Sequence, residues 1–282
     1  MNNVNRMEID GRAVTAGQTQ MAVLTSYGHF TAMQVRSGRV RGLALHLDRL
    51  TRSTRELFDA DLDHELVRAR IRHALGGGIS DASVRVMVFQ PQETGPVTLA
   101  VYVRDPYVGS GAPQALTSVQ YQRPLAHVKQ VGGGFGQSYH GRAARRAGFD
   151  DALLTAPDGT VSEGSIANIA FVAGGSLVWP DAPALAGITM QLIRAQLGET
   201  GAGAGSAGAG AGAESEPGSG GGLASRGAPV RLADLGSYDA ALLTNSRGIV
   251  PVSRIDEHRF GGGEQAAKAV AHVYESVPWD VI

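Results

Sequence analysis

Hydrophobic positions in the first hundred residues recur with two periods, which predicts a mixture of strands and helices. Alternating runs predict strands at Phe30 to Val35 and Val40 to Ala44, with a hairpin turn at Ser37-Gly38 between them. Helical spacing predicts one helix from about Leu45 to Phe58 and another across Leu62 to Leu75. Two further β-rich runs follow, at Ser83 to Phe89 and Val97 to Arg104. The pattern therefore predicts an α+β unit with a mostly antiparallel sheet.

A connection rich in Gly and Pro, from Asp105 to Ser118, is the predicted boundary between a small N-terminal domain over residues 1–115 and a larger domain over 119–282. The larger domain shows the same mixture, with predicted helices at Gly141 to Gly148, Gly187 to about Leu197 and Gly263 to Tyr274, and predicted strands at Asp151 to Thr155, Thr160 to Ser162, Ala167 to Val172, Leu177 to Trp179, Tyr238 to Leu243 and Ile249 to Val252. Repeats of Gly, Ala and Ser from about residue 198 to 228 offer almost no side chain to bury, so we predict a flexible surface insertion there. The predicted fold class is α/β (α+β), with a β-rich α/β second domain.

Composition and charge exclude several classes of function. The 282 residues carry a formal net charge of −1 with both signs scattered, which is not typical of a nucleic-acid-binding or membrane-surface protein. Cysteine is absent, which excludes disulfides, thiolate catalysis and cysteine metal sites, and the eight histidines form no cluster with metal-ligand spacing. The N-terminus has no apolar signal region and no apolar run is long enough to span a bilayer, so we expect a cytoplasmic protein.

Lysine is rare in this chain, which makes Lys129 a candidate catalytic residue. Only Lys129 and Lys268 are lysines among 25 basic residues, so arginine supplies nearly every ordinary positive charge. Arginine cannot replace an amine that must lose its proton to act as a nucleophile. Lys129 follows the apolar Val128 and precedes glycines at 132–134, which let a ligand approach the backbone. An ordinary loop lysine remains the alternative interpretation, and Lys268 fits a surface position on a helix.

Other stretches carry groups that suit a charged ligand. Glu163 lies at a predicted strand end, and a buried carboxylate there needs a cationic partner such as a protonated pyridine nitrogen. The helix start at Gly187-Ile188-Thr189 offers free N–H groups for a phosphate, and the loop Thr244-Asn245-Ser246 and the side chain of Arg49 can complete that site. Each feature also has an ordinary explanation, such as a turn glutamate or a glycine before a helix, and none is specific alone.

Taken together, these stretches resemble the class IV aminotransferases, the fold-type IV family of pyridoxal-phosphate enzymes that includes branched-chain aminotransferases, D-amino-acid aminotransferases and aminodeoxychorismate lyase. The motifs that carry the resemblance are Phe30-Thr31, His46 to Leu50, Lys129, Glu163-Gly164-Ser165 with Asn168, Leu185 to Thr189, and Thr244-Asn245-Ser246 ahead of Pro251-Val252. The resemblance covers nearly the whole chain outside the insertion. It implies a two-domain fold-type IV enzyme that forms a homodimer, with the site near the subunit interface.

The resemblance also implies a role for each candidate residue. Lys129 would hold pyridoxal 5'-phosphate as an internal aldimine and move a proton between Cα and C4′, while Glu163 would pair with the pyridinium nitrogen. The phosphate would be held by Arg49, Ile188, Thr189, Asn245 and Ser246. The implied reaction transfers an amino group between an amino donor and a 2-oxo acid.

The substrate region departs from the family pattern. Gly134 stands where the family usually has a tyrosine or another polar ring, and Phe135 comes next. The candidate substrate residues are Phe30, Tyr139, His140 and, for a substrate carboxylate, Arg247. Two alternatives stay open. One is a lyase of the aminodeoxychorismate lyase type, which releases pyruvate without a keto-acid acceptor, and the other is a non-catalytic relative of the fold.

Overall fold

Two β-sheets and their covering helices form the framework of this chain. The computed structural model describes residues 4–18, 26–92, 94–131, 134–198 and 223–282. The strands are β1 (Asn5–Ile9), β2 (Arg12–Ala13), β3 (Gly28–Val35), β4 (Arg39–Arg41), β5 (Ala82–Phe89), β6 (Thr98–Arg104), β7 (Gln114–Gln120), β8 (Asp151–Thr155), β9 (Val161–Gly164), β10 (Asn168–Ala173), β11 (Ser176–Pro180), β12 (Ala224–Ala228), β13 (Ala240–Asn245), β14 (Gly248–Ile255), β15 (His258–Arg259) and β16 (Trp279–Val281). The helices are α1 (Leu43–Phe58), α2 (His64–Leu75), α3 (Phe135–Arg146), α4 (Ile188–Leu197) and α5 (Gly263–Glu275), with a 3-10 helix at Leu232–Ser237. No helix within the described ranges is both long and apolar enough to cross a membrane.

The first sheet is antiparallel, with the strand order β2-β1-β6-β5-β3. Alternate positions face opposite sides, so Val84, Val86 and Val88 of β5 are buried under α1 and α2 while the residues between them stay half-buried. The Asp63 side chain caps the start of α2 by accepting a hydrogen bond from the Glu65 N–H at 2.8 Å. This packing leaves the opposite face of the sheet available to line a site.

The second sheet has the strand order β12-β11-β10-β13-β14-β7-β8-β9, and β15 pairs with β14. Parallel pairs, such as β7 with β8 and with β14, occur beside antiparallel ones. Helices α4 and α5 cover one face through Ile193 and Val270, and a cluster with Phe171 and Leu243 fills the other. Strands β8 and β13 are therefore buried along almost their whole length, as expected for a sheet covered on both faces.

The structure confirms the predicted α/β (α+β) fold class. A turn at Ser37-Gly38 joins β3 to β4, and α1 and α2 occupy the two segments with helical spacing. The predicted hairpins of the second domain are β8 with β9 and β10 with β11. The division into domains near residue 115 stays a prediction.

One helix boundary was predicted wrongly. Helix α3 begins at Phe135 and not at Gly141. The reason is tertiary packing: Gly136 lies against the ring of Tyr121, where a Cβ would come within 2.3 Å, and Ala144 packs in a buried cluster with residues of β8. Close contact with neighbouring elements therefore outweighs the low helix propensity of the glycines.

Two segments predicted to be irregular contain strands. Residues 114–118 of the predicted connection belong to β7, because β8 and β14 pair with this strand on its two sides. Residues 224–228, assigned to the insertion, form β12 because backbone hydrogen bonds to β11 need no large side chain. Residues 199–222 of the predicted insertion lie outside the described residues.

The last strand returns to the first sheet's unit. Strand β16 pairs antiparallel with β4, and Ile282 is buried in the same core cluster as the valines of β5. The segment after α5 therefore connects the second sheet to the helices that cover the first.

Candidate active site

A cavity of about 830 Å³ lies between the open face of the first sheet and the loops of the second. Its walls include Phe30 and Ala32 of β3, the loops after β9 and β13, and the start of α4. Seven arginines and Lys129 line it, against only two carboxylates, Asp105 and Glu163. Such an excess of positive charge in a cleft favours an anionic ligand.

Most of the predicted site residues line this one cavity. The set comprises Phe30, Arg49, Lys129, Glu163, Ile188, Thr189, Asn245, Ser246 and Arg247. Tyr139 and His140 do not line it. Tyr139 is 55% exposed on α3, and the ring of His140 lies 5.0 Å from that of Tyr121. Gly134, at the position that departs from the family pattern, is the N-cap of α3.

Lys129 lies in a loop that is hydrogen-bonded to the edge strand β3. The backbone N–H of Phe30 donates to the carbonyl of Lys129 at 2.9 Å, and Nζ lies 5.0 Å from the centre of the Phe30 ring. Burial lowers the pKa of the Lys129 amine to about 8, helped by Arg49 and Arg123 and opposed by Glu163. This amine therefore loses its proton more readily than an exposed lysine and can act as a nucleophile near neutral pH.

Glu163, at 4% exposure in β9, supplies a buried carboxylate. Its Oε1 lies 3.1 Å from Nε of Arg123, and its Oε2 accepts a hydrogen bond from the N–H of Leu185 at 3.2 Å. Burial raises the pKa of Glu163, whereas Arg123, the Leu185 N–H and Lys129 act to lower it. Arg123 therefore opposes the effect of burial and favours the charged form of this carboxylate.

Arg123 is a site residue that sequence reasoning missed. Its buried side chain donates through Nη2 to the carbonyls of Ala126 and Val128, the latter at 3.3 Å, and so holds the turn that precedes Lys129. The same side chain pairs with Glu163, which links the carboxylate to the lysine loop. No local pattern distinguishes this arginine from the many others, because its partner lies far along the chain.

The start of α4 has features that suit an anion. Gly187 is its N-cap and carries no side chain that could occupy the first N–H groups of the helix. A Cβ at Gly187 would lie 1.9 Å from Oδ1 of Asn168, so the backbone approaches closely only with glycine there. The Thr189 hydroxyl donates to the carbonyl of Asn245 at 2.9 Å and ties the helix to the β13–β14 turn. Free N–H groups and the positive end of the helix dipole favour a phosphate.

Arg49 brings a buried cation to the same site from α1. It is 7% exposed, and its Nη2 donates to the carbonyl of Ala186. Burial, with Arg52 and Arg123, lowers the pKa of the Arg49 guanidinium to about 10, which leaves it charged at neutral pH. The hydroxyl of Thr244 is also buried at this cavity and has no hydrogen-bond partner among the described residues. A bound ligand with an anionic group and a polar ring would pair with the Arg49 guanidinium and the Thr244 hydroxyl.

His46 is a neutral group beside the lysine. Its Nδ1 lies 2.6 Å from the hydroxyl of Thr31. Burial, together with Arg49 and Lys129, lowers the pKa of His46 to about 3. The ring therefore carries no charge at neutral pH and does not add to the repulsion around the amine.

Comparison with known proteins identifies one matching family and several solved structures with similar folds. The profile of the family described as Amino-transferase class IV matches residues 28–204. A search of curated protein sequences gives no significant match.

Three solved structures with similar folds are aminotransferases. A hypothetical aminotransferase from Mycobacterium tuberculosis, in a PLP-bound form, has a TM-score of 0.76 and 19% identity, over 96% of this chain and 98% of that one. The branched-chain amino acid aminotransferase from Thermobaculum terrenum, in its PLP-form, has a TM-score of 0.76 and 16% identity, over 98% and 94% of the two chains. The branched-chain aminotransferase from Thermoproteus uzoniensis with norvaline has a TM-score of 0.72 and 20% identity, over 97% and 94%. At these identities the likeness shows a common fold.

Proposed function

Because the chain belongs to the class IV aminotransferase family, we propose that it moves an amino group from an amino acid or amine donor to a 2-oxo acid, with Lys129 as the catalytic amine. The family uses pyridoxal 5'-phosphate, and this chain is a transaminase of that type. The observation that carries the proposal is the enclosed Lys129 amine, which shares one cavity with the buried Glu163 carboxylate.

The groups around the cavity fit pyridoxal phosphate. A phosphate needs positive charge and N–H donors, which Arg49 and the uncapped start of α4 supply. A pyridine nitrogen that carries a proton needs a carboxylate, which Glu163 supplies, and an aldehyde needs an amine that can lose its proton, which Lys129 supplies. The Thr244 hydroxyl, which has no hydrogen-bond partner in the described part of the chain, is a further polar group that a bound ligand would satisfy.

The residues of the cavity have different roles in the proposed reaction. Bound pyridoxal phosphate supplies an aldehyde that condenses with amino groups and a ring that draws electrons from the substrate Cα. Lys129 Nζ, once uncharged, would take the proton from Cα of the donor and deliver it to C4′, the former aldehyde carbon, as amino transfer requires. Glu163, whose charged form Arg123 favours, would pair with the protonated ring nitrogen, and Arg49 with the start of α4 would hold the phosphate, which would orient the cofactor towards Lys129.

Borohydride labelling tests this proposal directly. The protein is loaded with pyridoxal phosphate, reduced, digested and mapped by mass spectrometry. We expect the label on Lys129 and loss of the visible absorption band in Lys129→Ala. Lys268→Ala is the matched control, because Lys268 is the other lysine of the chain and lies exposed on α5, and it should keep the band. A label on Lys268, or no band in the unmodified protein, would contradict the proposal.

Product analysis then separates amino transfer from the lyase alternative. Transfer requires a 2-oxo acid acceptor, whereas the lyase releases pyruvate without one. A screen of amino donors with and without acceptors therefore distinguishes the two reactions.

We also propose that the enzyme is a cytoplasmic homodimer. Two hydrogen bonds join the segments that contain Arg123, Gln137 and Ser165 beside the cavity. Gln137 Nε2 donates to the carbonyl of Ser165 at 2.7 Å, and Arg123 Nη1 donates to Gln137 Oε1 at 3.4 Å. These segments expose a set of large apolar side chains, here called the apolar patch, which consists of Leu125, Phe135, Tyr139 and Ile166. A second copy that covers the patch would remove it from water.

The proposed cytoplasmic location rests on composition. The absence of cysteine fits a reducing compartment.

A further inference from the structure

We propose that Gln137 contacts the cofactor, and that one N–H of its side-chain amide donates a hydrogen bond to the phenolic oxygen of pyridoxal phosphate. Gln137 is half-buried in the first turn of α3 and lines the cavity. The inference rests on the proposed function, in which Lys129, Glu163 and the start of α4 hold the cofactor. It adds a contact to the one polar group of the cofactor that these residues leave without a partner.

Two hydrogen bonds fix the orientation of the Gln137 amide. Its Oε1 accepts from Nη1 of Arg123 at 3.4 Å, and its Nε2 donates to the carbonyl of Ser165 at 2.7 Å. A guanidinium only donates and a carbonyl only accepts, so the oxygen and the nitrogen of the amide cannot be exchanged. The amide nitrogen carries two N–H groups, and the hydrogen bonds within the described residues use one of them. The other is available to a ligand.

The start of α3 leaves room for this amide beside the cavity. Gly134, the N-cap of α3, precedes Gln137 by three positions and lies on the same side of the helix. Side chains on a helix point back towards its N-terminus, which directs Gln137 to the Gly134 end of the turn. Among the described residues, only Oγ of Ser138 would meet a Cβ added at Gly134, at 3.9 Å. No side chain at position 134 therefore competes with Gln137 for the ligand.

The chemistry of the cofactor places its phenolic oxygen near Gln137. In pyridoxal phosphate the phenol group and the phosphate arm flank the aldehyde on opposite sides, so the ring edge with the oxygen faces away from the phosphate. With the phosphate at Arg49, this edge extends from the aldehyde at Lys129 towards the ring nitrogen at Glu163. Arg123 connects the same two regions, because it donates to the turn before Lys129 and pairs with Glu163. Gln137 is hydrogen-bonded to Arg123 and therefore lies at this edge.

Arg123 is another polar side chain at this edge, but each of its three nitrogens already has an acceptor. Nε faces Glu163 at 3.1 Å, Nη2 donates to the carbonyls of Ala126 and Val128, and Nη1 donates to Gln137. A cation that donates to the amide oxygen also polarises the amide and makes its N–H groups better donors. Arg123 thus strengthens the contact that Gln137 makes with the ring oxygen.

Binding of two cofactor analogues tests the contact. Pyridoxamine phosphate has no aldehyde to react with Lys129, and its 3-deoxy analogue lacks only the phenolic oxygen. Isothermal titration calorimetry on the full-length protein measures both dissociation constants. We expect the unmodified protein to bind pyridoxamine phosphate about fivefold more tightly than the analogue, since the net contribution of one hydrogen bond corresponds to a factor of that order. Equal affinities in the unmodified protein would overturn the proposal.

Substitutions at Gln137 separate this contact from a structural role. Gln137→Met keeps the length of the side chain without its donors, and Gln137→Glu keeps an acceptor for Arg123 but has no N–H when ionised. Both variants should lose most of the preference for pyridoxamine phosphate, whereas a general disturbance of the site would weaken both compounds equally. A preference that survives in both variants would overturn the proposal. Ser138→Ala is the matched control and should keep the preference, since Ser138 is exposed on α3 and does not line the cavity.

This proposal and the proposed function fail in different ways, because binding of the two compounds needs no turnover. Equal affinities in protein that transfers an amino group would refute the Gln137 contact and leave the proposed function intact. A preference that depends on Gln137, in protein that transfers no amino group, would support the contact and refute the proposed reaction. If neither compound bound to the unmodified protein, both proposals would be refuted.

Discussion

The surroundings of Lys129 disfavour its protonated form. Burial removes water from the amine, and Arg49, Arg123 and Arg85 add positive charge, so that Glu163 alone among the charges acting on it favours the proton. The groups that make the amine nucleophilic therefore destabilise the folded protein while no ligand compensates for them.

Replacement of Lys129 by methionine should stabilise the cofactor-free protein. The pKa of Lys129 is about 8 when folded and 10.5 as an ordinary lysine, so the cost of folding is fully present below pH 8 and disappears as the pH rises past 10.5. We expect Lys129→Met to raise the free energy of unfolding by about 3 kcal/mol at pH 7 and by less at pH 10. Urea denaturation measures both values. Lys268→Met should change neither, and an unaltered value for Lys129→Met at pH 7 would contradict the argument.

At the scale of elements, α1 depends on a strand from the far end of the chain. Its N-cap, Gly42, adopts a left-handed conformation with φ of 71° and has no side chain to cap the helix. Asp280 of β16 supplies the missing acceptor, since its Oδ2 accepts a hydrogen bond from the N–H of Leu43 at 2.8 Å. A cation–π contact also stabilises this junction, because the guanidinium of Arg41 lies 4.1 Å from the centre of the Trp279 ring. Strand β16 therefore helps to position the helix that carries Arg49.

Removal of the Asp280 carboxylate should weaken this junction. We expect Asp280→Ala to lower the free energy of unfolding by about 1 kcal/mol, because α1 loses both an acceptor and a favourable negative charge at its start. Asp280→Asn keeps an acceptor and should lose less. Denaturant titration of both variants measures the difference, and equal losses would show that the hydrogen bond has no part in the effect.

At the scale of the whole molecule, the apolar patch borders the cavity that Lys129 lines. Arg123 pairs with Glu163 inside the cavity and with Gln137 at its edge, so the surface and the site share one set of hydrogen-bonded segments. Phe135, at 79% exposure, is the most exposed member of the patch. An interface at this surface would enclose the site and hold α3 in place.

The proposed homodimer predicts the effect of a charge in the apolar patch. We expect the unmodified protein to sediment with the mass of two chains and Phe135→Asp to shift it towards one, because the interface would have to bury an unpaired carboxylate. Leu66→Asp is the control, since Leu66 is 41% exposed on α2, away from the patch, and should leave the mass unchanged. Sedimentation equilibrium gives the masses. A single-chain mass for the unmodified protein would contradict the homodimer.

The sequence by itself determined most of the elements and several candidate residues. Hydrophobic spacing predicted α1, α2 and the hairpins, because the interval between buried residues along the chain is set by the geometry of the helix or strand itself. The rarity of lysine drew attention to Lys129, and the glycine before α4 predicted an anion site, since both signals are local. Motif order along the chain indicated the family, and the predicted cofactor residues do line one cavity.

Only the tertiary structure decided which of many similar residues act together. It selected Arg123 as the partner of Glu163, brought Arg49 to the carbonyl before α4, and placed Tyr139 outside the cavity. It also turned residues 224–228 into a strand and brought β16 to α1. The physical reason is common to all of these outcomes. Ion pairs, strand pairs and remote caps depend on distance and burial between residues far apart in the chain, and those quantities exist only once the two sheets have packed together.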